Sequence, residues 1–307
     1  MWMFFVLVYG LLKGFREILK KKSLEVNSVM EVLFFYTLFS FIMVSFDVKR
    51  ALGVPLPMMG WIFVKSFVIF CAWILSFKAI KKMPISLYGV LDLSRVLFAT
   101  LLGVIFLSEK MTTFQIIGLI LVSAGLLLLK VKIKIPAFQK LDDKMDSKSD
   151  NVSDESDDEK DNEKEEKIAP LVVCFALMSC LLNAVSGFMD KVLMKDLNSS
   201  QLQFWYMLFL VSLYGVYLLI SREKVQVKKA VCNPYIWLLA FLFVVADRAL
   251  FLANGDPNSR VTVMTLIKQS GCIVTLGAGR FIYHEKHVLH RLICTILVVA
   301  GIVIAVL

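Results

Sequence analysis

The chain has 307 residues, of which 58% are apolar and 19% are charged, and its mean hydropathy is +0.75. These values are typical of a membrane protein and exclude an ordinary soluble domain. The net charge of +9 does not indicate a nucleic-acid-binding protein, because no basic surface with interleaved aromatic residues remains once the apolar stretches are set aside.

A helix needs about 20 mostly apolar residues to cross a bilayer. Ten stretches of the chain meet this requirement, although Lys13, Arg16 and Glu17 interrupt the second half of the first one. In chain order the predicted spans are about 1–19, 29–46, 58–79, 84–107, 112–131, 170–190, 203–220, 236–254, 261–283 and 287–307. The sequence therefore predicts an all-α membrane protein with ten transmembrane helices.

A polar segment, 132–167, separates the fifth span from the sixth. Within it, residues 142–167 hold 13 of the 25 acidic residues of the chain and contain no aromatic residue. Such a segment cannot bury enough apolar surface to fold, so it is predicted to be a disordered acidic linker. Five predicted spans precede it, in 1–131, and five follow it, in 168–307.

The two groups of five spans resemble each other in sequence. When the chain is shifted by 176 positions, Trp61 falls on Trp237, and Gly103 falls on Gly279. The same shift places Glu109-Lys110 on Glu285-Lys286. An odd number of spans makes the second group enter the membrane from the opposite side. The pattern therefore predicts two inverted five-helix repeats, a common build for secondary transporters whose substrate sites lie at the repeat interface.

These motifs resemble the EamA-type transporters of the drug/metabolite transporter superfamily. The residues of the first half that carry the resemblance are Pro84, Gly103, Glu109, Gln115, Gly118 and Gly125. The second half keeps Gly279, Glu285 and Gly301, and it departs from the pattern at Arg260, Arg291 and Cys294. The resemblance implies a secondary carrier of small polar metabolites or drugs that works by alternating access. It also implies a central cavity lined by the third, fourth, eighth and ninth spans.

Ionisable residues at membrane depth are energetically costly and usually mark a substrate or ion pathway. The candidate substrate-binding residues, taken from the third, fourth, eighth and ninth spans, are Lys65, Asp92, Ser94, Arg95, Asp247, Lys268, Gln269 and Ser270. Asp92 and Lys268 are equivalent in the 176-residue register. We hypothesise that they line the central site, either paired with each other or holding opposite charges of a substrate. The alternative is a permanent buried ion pair that fixes helix register.

The other intramembrane charges allow more specific expectations. Arg95 lies one helical turn after Asp92, and it is equally expected to neutralise Asp92 or to bind an anion. Asp247 and Arg248 are adjacent and point about 100° apart on a helix, so one of them should meet another helix instead of the cavity. Lys65 lies near the middle of its span and should have a partner inside the protein.

Three further motifs are interpreted as structural. Glu109 and Glu285 follow helix ends, where an acidic residue favours the positive N-terminus of the next helix, and a gating role is the alternative. The histidines at 284, 287 and 290 favour a membrane-interface cluster over a metal site. Gly10 and Gly14 form a GxxxG pattern and predict a close helix contact.

No cofactor or metal is expected, and the absence of a GxxxxGK[ST] loop gives no support to ATP-driven pumping. No arrangement of nucleophile, histidine and acid indicates an enzyme. The expected partners are a small-molecule substrate and the lipid bilayer of the cell membrane, with no nucleic acid; a coupling proton or ion and a homodimer are left open. The alternative function is a membrane scaffold or lipid-handling protein without a soluble substrate.

Two indications of membrane orientation disagree. The family resemblance implies cytoplasmic termini. The loops on the side opposite the termini are the more basic ones, with clusters at 20–22, 78–82, 130–134 and 222–229. Because basic loops usually lie in the cytoplasm, the charge count places the termini outside and the acidic linker inside. We favour the charge count, since it uses the residues of this chain.

Overall fold

The computed structural model describes residues 2–107, 113–130, 170–221, 225–257, 259, 264, 267–283 and 288–306, and in these residues the chain forms helices and no strands. The first half contains α1 Trp2–Val26, α2 Val29–Val44, α3 Val48–Ala51, α4 Leu56–Lys82, α5 Ile85–Asp92, α6 Arg95–Leu107 and α7 Thr113–Lys130. The second half contains α8 Pro170–Leu193, α9 Ser199–Ser221, α10 Val227–Val231, α11 Pro234–Asn254, α12 Gly271–Phe281 and α13 Val288–Val306.

Six helical stretches are long and apolar enough to cross a membrane. They are Val29–Ala51, Leu56–Lys82, Ile85–Gly103, Pro170–Leu193, Ser199–Ser221 and Pro234–Asn254. Two shorter apolar stretches, Ile116–Gly125 and Leu292–Gly301, lie within α7 and α13. All of these stretches fall on spans that the sequence predicts.

The first helix is longer than predicted. The expected span ends at about residue 19, but α1 continues to Val26. The charged residues that interrupt the apolar pattern do not end the helix, because Lys13, Arg16 and Glu17 are buried inside the protein. These charged side chains have partners inside the protein. The surface that α1 turns outward is therefore mostly apolar.

The fourth predicted span, 84–107, is not one continuous helix. It divides into α5 and α6 at Leu93 and Ser94, where the backbone tightens: Leu93 N donates to Val90 O at 3.1 Å and Ser94 N to Leu91 O at 3.0 Å. The ninth span has a similar feature. A 3₁₀ turn, Lys268–Ser270, precedes α12. Such turns inside helices often mark hinges or functional sites.

Local sequence explains where several helices begin. Ser28 and Glu31 form a capping box at the start of α2, in which Glu31 N donates to Ser28 Oγ at 3.2 Å and Ser28 N donates to Glu31 Oε2 at 3.0 Å. Asn233 caps α11, and Pro234 follows at its first position. Before α4, Gly53 adopts a φ of +83°, a conformation that glycine takes without strain.

Helices from the two halves pack against each other throughout the described bundle. Helix α1 packs against α11, and α4 packs against α8. The pairs α2 with α9, α5 with α12, and α7 with α13 are also in contact. Aromatic side chains fill the centre: Tyr36, Trp73 and Phe243 have ring centroids 5.2–5.3 Å apart in each pairing. The packing therefore creates an interior surface between the halves, and the candidate site lies there.

Candidate functional site

A cavity of ≈ 90 Å³ lies between the two halves and is bounded by α1, α4, α5, α6, α8, α11 and the segment before α12. About 10–15 Å³ of such space holds one water molecule, so the cavity has room for several waters or a small solute. Its charged lining consists of Lys13, Arg16, Glu17, Lys20, Lys65, Arg95, Asp190, Asp247 and Lys268. Aromatic residues, among them Tyr9, Trp73 and Phe243, form much of the remaining wall.

One charged pair joins α4 to α8. Lys65 Nζ lies 3.1 Å from Asp190 Oδ1, and the Lys65 side chain is 1% exposed. The ammonium also lies 4.0 Å from the centroid of the Tyr206 ring, where it interacts favourably with the aromatic face. The prediction that Lys65 has an interior partner is confirmed. This pair ties the first half of the chain to the second.

A second charged group joins α1 to α11. Asp247 accepts a hydrogen bond from the Tyr206 hydroxyl, and Arg16 Nη1 lies 3.9 Å from Asp247 Oδ1. Arg16 Nη2 donates to Tyr36 Oη at 3.3 Å, and the guanidinium lies 4.5 Å from the Phe243 ring centroid. Arg16 Nε and Nη1 have no hydrogen-bond partner among the described residues. Contacts with Tyr36 and Phe243 thus hold the guanidinium in place, while two of its three nitrogens donate no hydrogen bond to a described residue.

Asp247 and Arg248 separate as expected. Asp247 lines the cavity, whereas Arg248 meets α9 and the end of α2. Arg248 Nη1 donates to Ser200 Oγ at 2.6 Å, and Nη2 donates to Asp47 Oδ2 at 3.1 Å. Ser200 Oγ in turn donates to Asp47 Oδ2 at 2.6 Å. These three residues form a polar cluster outside the cavity.

Asp92 lies at the break between α5 and α6. It forms ion pairs with Lys13 of α1 and with Arg95, whose Nη2 lies 2.8 Å from Asp92 Oδ1. The Asp92 pairs in the structure are therefore with Lys13 and Arg95 rather than with Lys268. Lys13 and Arg95 line the cavity, and Asp92 lies behind them.

Lys268 lines the same cavity from the second half. Its Nζ lies 5.6 Å from the centroid of the Tyr9 ring, and it has no hydrogen bond or ion pair with any described residue. The neighbouring Gln269 and Ser270 are behind the lining, and their side-chain polar atoms have no hydrogen-bond partner in the described part of the chain. Ser94, at the first break, is also buried behind the lining.

The predicted site residues thus divide into two groups. Lys65, Arg95, Asp247 and Lys268 line one cavity. Asp92, Ser94, Gln269 and Ser270 lie next to it at the two helix breaks.

Sequence reasoning missed the contribution of α1. Lys13, Arg16, Glu17 and Lys20 all line the cavity, and Lys20 Nζ lies 2.8 Å from Glu17 Oε1. Their spacing of three and four residues places them on one helix face, a signal that could have indicated an interior-facing polar stripe. Asp190 was also missed, because it lies at the predicted end of its span and resembles a loop residue.

The GxxxG pattern of α1 forms the predicted close contact. A Cβ on Gly10 would lie 2.8 Å from the carbonyl oxygen of Ile267, and a Cβ on Gly14 would lie 2.6 Å from that of Gly271. Only glycine permits such an approach of two backbones. The contact holds the Lys268 segment against α1, and it therefore positions Lys268 at the cavity.

Some sequence predictions fall outside the described residues. These are the linker 132–167, the helix-end residues Glu109 and Glu285, and the histidines at 284 and 287; at position 290 only the backbone is described. None of the six cysteines, all of which lie in the described part of the chain, forms a disulfide bond.

A model of the EamA-like transporter family matches residues 1–131 and 170–307. The chain belongs to this family. It is therefore a membrane transporter of the drug/metabolite transporter superfamily and an integral, multi-pass membrane protein.

A solved structure titled "Crystal structure of protein" is similar in fold, with a TM-score of 0.64 over 99% of this chain and 96% of that chain. The two sequences are 11% identical, so this likeness shows the fold alone. No curated protein matches the chain.

Proposed function

We propose that this EamA-like protein is a secondary transporter that moves small polar metabolites or drugs across the cell membrane by alternating access. The observation that carries the proposal is the charged cavity between the two halves of the bundle. Ionisable residues at membrane depth are retained where they serve a pathway, and here they converge on one cavity. The alternative, a membrane scaffold or a lipid-handling protein without a soluble substrate, does not require a cavity lined by converging charges.

The proposal includes a bundle of ten transmembrane helices arranged as two inverted five-helix repeats. The pattern of helix contacts supports it. The first helix of each half packs against the third long helix of the other half, as α1 does with α11 and α8 with α4. The second, fourth and fifth helices of the halves pack against their counterparts, α2 with α9, α5 with α12 and α7 with α13. A pseudo-two-fold axis in the membrane plane would produce this exchange.

The two helix breaks also agree with such an axis. Asp92 at the first break and Lys268 at the second are 176 positions apart, which is the repeat register of the sequence. Transporters with inverted repeats often place discontinuous helices at the substrate site near the middle of the bilayer. The position of both breaks beside one cavity supports a central site.

Polar clusters at the two ends of α2 are suitable gates. At its C-terminal end, Asp47 bonds to Ser200 and Arg248. At its N-terminal end, Glu31 accepts a hydrogen bond from Gln226 N at 2.8 Å, and Asn233 Nδ2 donates to Asn27 Oδ1 at 2.9 Å. Sixteen residues of helix separate the ends by about 24 Å. Alternate opening of the two clusters would expose the cavity to one side at a time.

The first experiment is uptake into proteoliposomes that contain the purified protein. A panel of labelled anionic, neutral, zwitterionic and cationic solutes is tested with and without a proton gradient. We expect saturable uptake of one class, and a change with the gradient would indicate proton coupling. Liposomes without protein provide the control. Absence of uptake for every class would favour the scaffold or lipid-handling alternative.

The second experiment tests alternating access through the cluster at Asp47. The variant Asp47→Cys with Ser200→Cys is prepared with serine at the exposed Cys174 and Cys232. Oxidation should close one gate and stop transport, and a reductant should restore it. The two single-cysteine variants, treated in the same way, should continue to transport. Undiminished transport by the cross-linked protein would contradict alternate opening at this position.

A further inference from the structure

The cavity carries more positive than negative charge. Six basic side chains line it, and four acidic side chains, three in the lining and Asp92 behind it, are their partners. Asp92 is shared by Lys13 and Arg95, and Lys268 has no acidic partner in the described part of the chain. If all these groups are ionised, the site has an excess of two positive charges. An uncompensated charge inside a membrane protein is unfavourable, so an anion entering the cavity would be stabilised.

Open hydrogen-bond donors accompany this excess charge. Arg16 is 5% exposed, and its Nε and Nη1 have no hydrogen-bond partner among the described residues. Lys268 approaches α1 at Tyr9, which lies two helical turns before Arg16 on the same helix face. Two cationic side chains with unused donors therefore line the same cavity. Guanidinium and ammonium groups bind carboxylate and phosphate oxygens through charge-assisted hydrogen bonds.

The acidic residues of the cavity are already engaged. Asp190 is paired with Lys65, Glu17 with Lys20, and Asp247 with Tyr206 and Arg16. Glu17 Oε2 and Asp190 Oδ1 accept no hydrogen bond from the described residues. A cationic solute that approached them would still meet the ammonium partners of both carboxylates and would be repelled by the excess positive charge. An anion meets donors that are free. The arrangement therefore discriminates by the sign of the charge.

We infer that the transported substrate is a small organic anion with carboxylate or phosphate groups, bound in the cavity by Lys268 and Arg16. This inference rests on the proposed transport function and names its substrate class. The excess of two positive charges, one at Lys268 and one shared by Lys13 and Arg95 around Asp92, matches an anion of total charge about −2. The close contact of Gly10 and Gly14 with the Lys268 segment keeps this lysine at the cavity and so supports its role in binding.

Binding is measured first, with purified full-length protein in detergent. The probes are succinate and inorganic phosphate, with two controls of similar length to succinate, the neutral succinamide and the dication 1,4-diaminobutane. We expect either anion, or both, to raise the unfolding temperature in a concentration-dependent manner, because a ligand of the folded state stabilises it. Neither control compound should do so. The relative effects of succinate and phosphate separate a carboxylate site from a phosphate site.

Variants then assign the effect to the unpaired lysine. Lys268→Gln should weaken anion binding by about 10- to 100-fold, the change expected for loss of a charge-assisted hydrogen bond. Lys268→Arg should retain most of the binding, because it keeps the charge. Lys49→Gln removes an exposed lysine of α3 and should leave binding unchanged. Lys268→Gln should unfold at the same temperature as the unliganded parent or a higher one, which distinguishes lost binding from lost folding.

Counterflow in proteoliposomes completes the test with the same four compounds. Transport of anions that Lys268→Gln abolishes would support the inference. Transport of succinamide or 1,4-diaminobutane without any anion binding would overturn the inference and leave the transport function intact. Anion binding without transport of any compound would uphold the anion site and contradict the transport function. Equal anion binding by Lys268→Gln and the parent would overturn the assignment to Lys268.

Discussion

The two helix breaks beside the cavity occupy equivalent positions in the sequence repeat but differ in their electrostatics. At the first, Asp92 is held by Lys13 and by Arg95 at 2.8 Å, so every charged group there has an ion-pair partner, although one positive charge remains in excess. At the second, Lys268 has no ion-pair partner among the described residues, and Gln269 and Ser270 lie beside it with unused polar atoms. One break is fixed by internal pairing, whereas the other is open to a ligand.

This difference shows how a duplicated architecture can acquire an asymmetric site. Equivalent positions provide the same backbone feature on both sides of the cavity, while divergent side chains give one side a structural role and the other a binding role. Single substitutions can disturb the two breaks separately. A paired break should lose stability when a partner is removed, and an open break should not.

The largest effect is expected for Asp92→Asn. The variant would leave Lys13 and Arg95 buried without their common counter-charge, and removing one partner of a buried pair typically costs about 3–5 kcal/mol. Equilibrium unfolding in detergent by a chemical denaturant measures the loss. Glu25→Gln removes an exposed acidic residue of α1 and should leave the unfolding midpoint unchanged. Equal stability of the two variants would show that Asp92 is not needed for pairing.

A smaller loss is expected for Arg95→Gln. This change removes one of the two cations at Asp92 and leaves Lys13 in place, so the expected cost is that of one charged hydrogen bond, about 1.5–3 kcal/mol. The same unfolding experiment applies. Arg95→Lys retains the charge and should recover part of the stability, but not all of it, because lysine lacks the planar guanidinium. If Arg95→Lys were no better than Arg95→Gln, packing rather than charge would explain the loss.

Gly14→Ala tests the support of the second break. Its Cβ would lie 2.6 Å from Gly271 O and 2.6 Å from Val274 Cβ, so α1 and α12 would have to separate. Overpacking of this kind costs about 1–3 kcal/mol. Gly277→Ala, in α12, is the matched control, since its Cβ would meet no atom of the described residues within 4 Å. Thermal unfolding should show a loss for Gly14→Ala only, and a similar loss in both variants would point to the helix backbone rather than to the contact.

Much of the helical architecture could be predicted from the sequence, because apolar spans and glycine or proline signals are local. Six predicted spans appear as long apolar helical stretches, one of them broken at Leu93 and Ser94, and the GxxxG pattern at Gly10 and Gly14 forms the expected contact. The breaks at Ser94 and Lys268 could not be predicted, since neither break contains a proline or lies at a polar loop. They depend on contacts with other helices, which a single span does not encode.

The site could be predicted in part. Intramembrane charges identified Lys65, Arg95, Asp247 and Lys268, which share one cavity. The partners of these residues were harder to infer, because pairing depends on the mutual rotation of helices. The repeat register suggested that Asp92 faces Lys268, but the long side chain of Lys13 reaches Asp92 from α1. A residue that weakens a span in a hydropathy profile can thus be a main element of the interior.

The smallest effect is expected for Ser270→Ala at the open break. The Ser270 hydroxyl is buried without a hydrogen-bond partner in the described part of the chain, so its removal should change stability by less than about 0.5 kcal/mol. Ser200→Ala is the contrasting variant, because its hydroxyl bonds to Asp47 and Arg248 at 2.6 Å each, and it should lose measurable stability. Denaturant unfolding compares the two, and anion binding is measured on both. A clear loss of stability in Ser270→Ala would reveal a structural partner at the second break and make the two breaks alike. A loss of anion binding at unchanged stability would instead place Ser270 in the substrate site, as the sequence predicts.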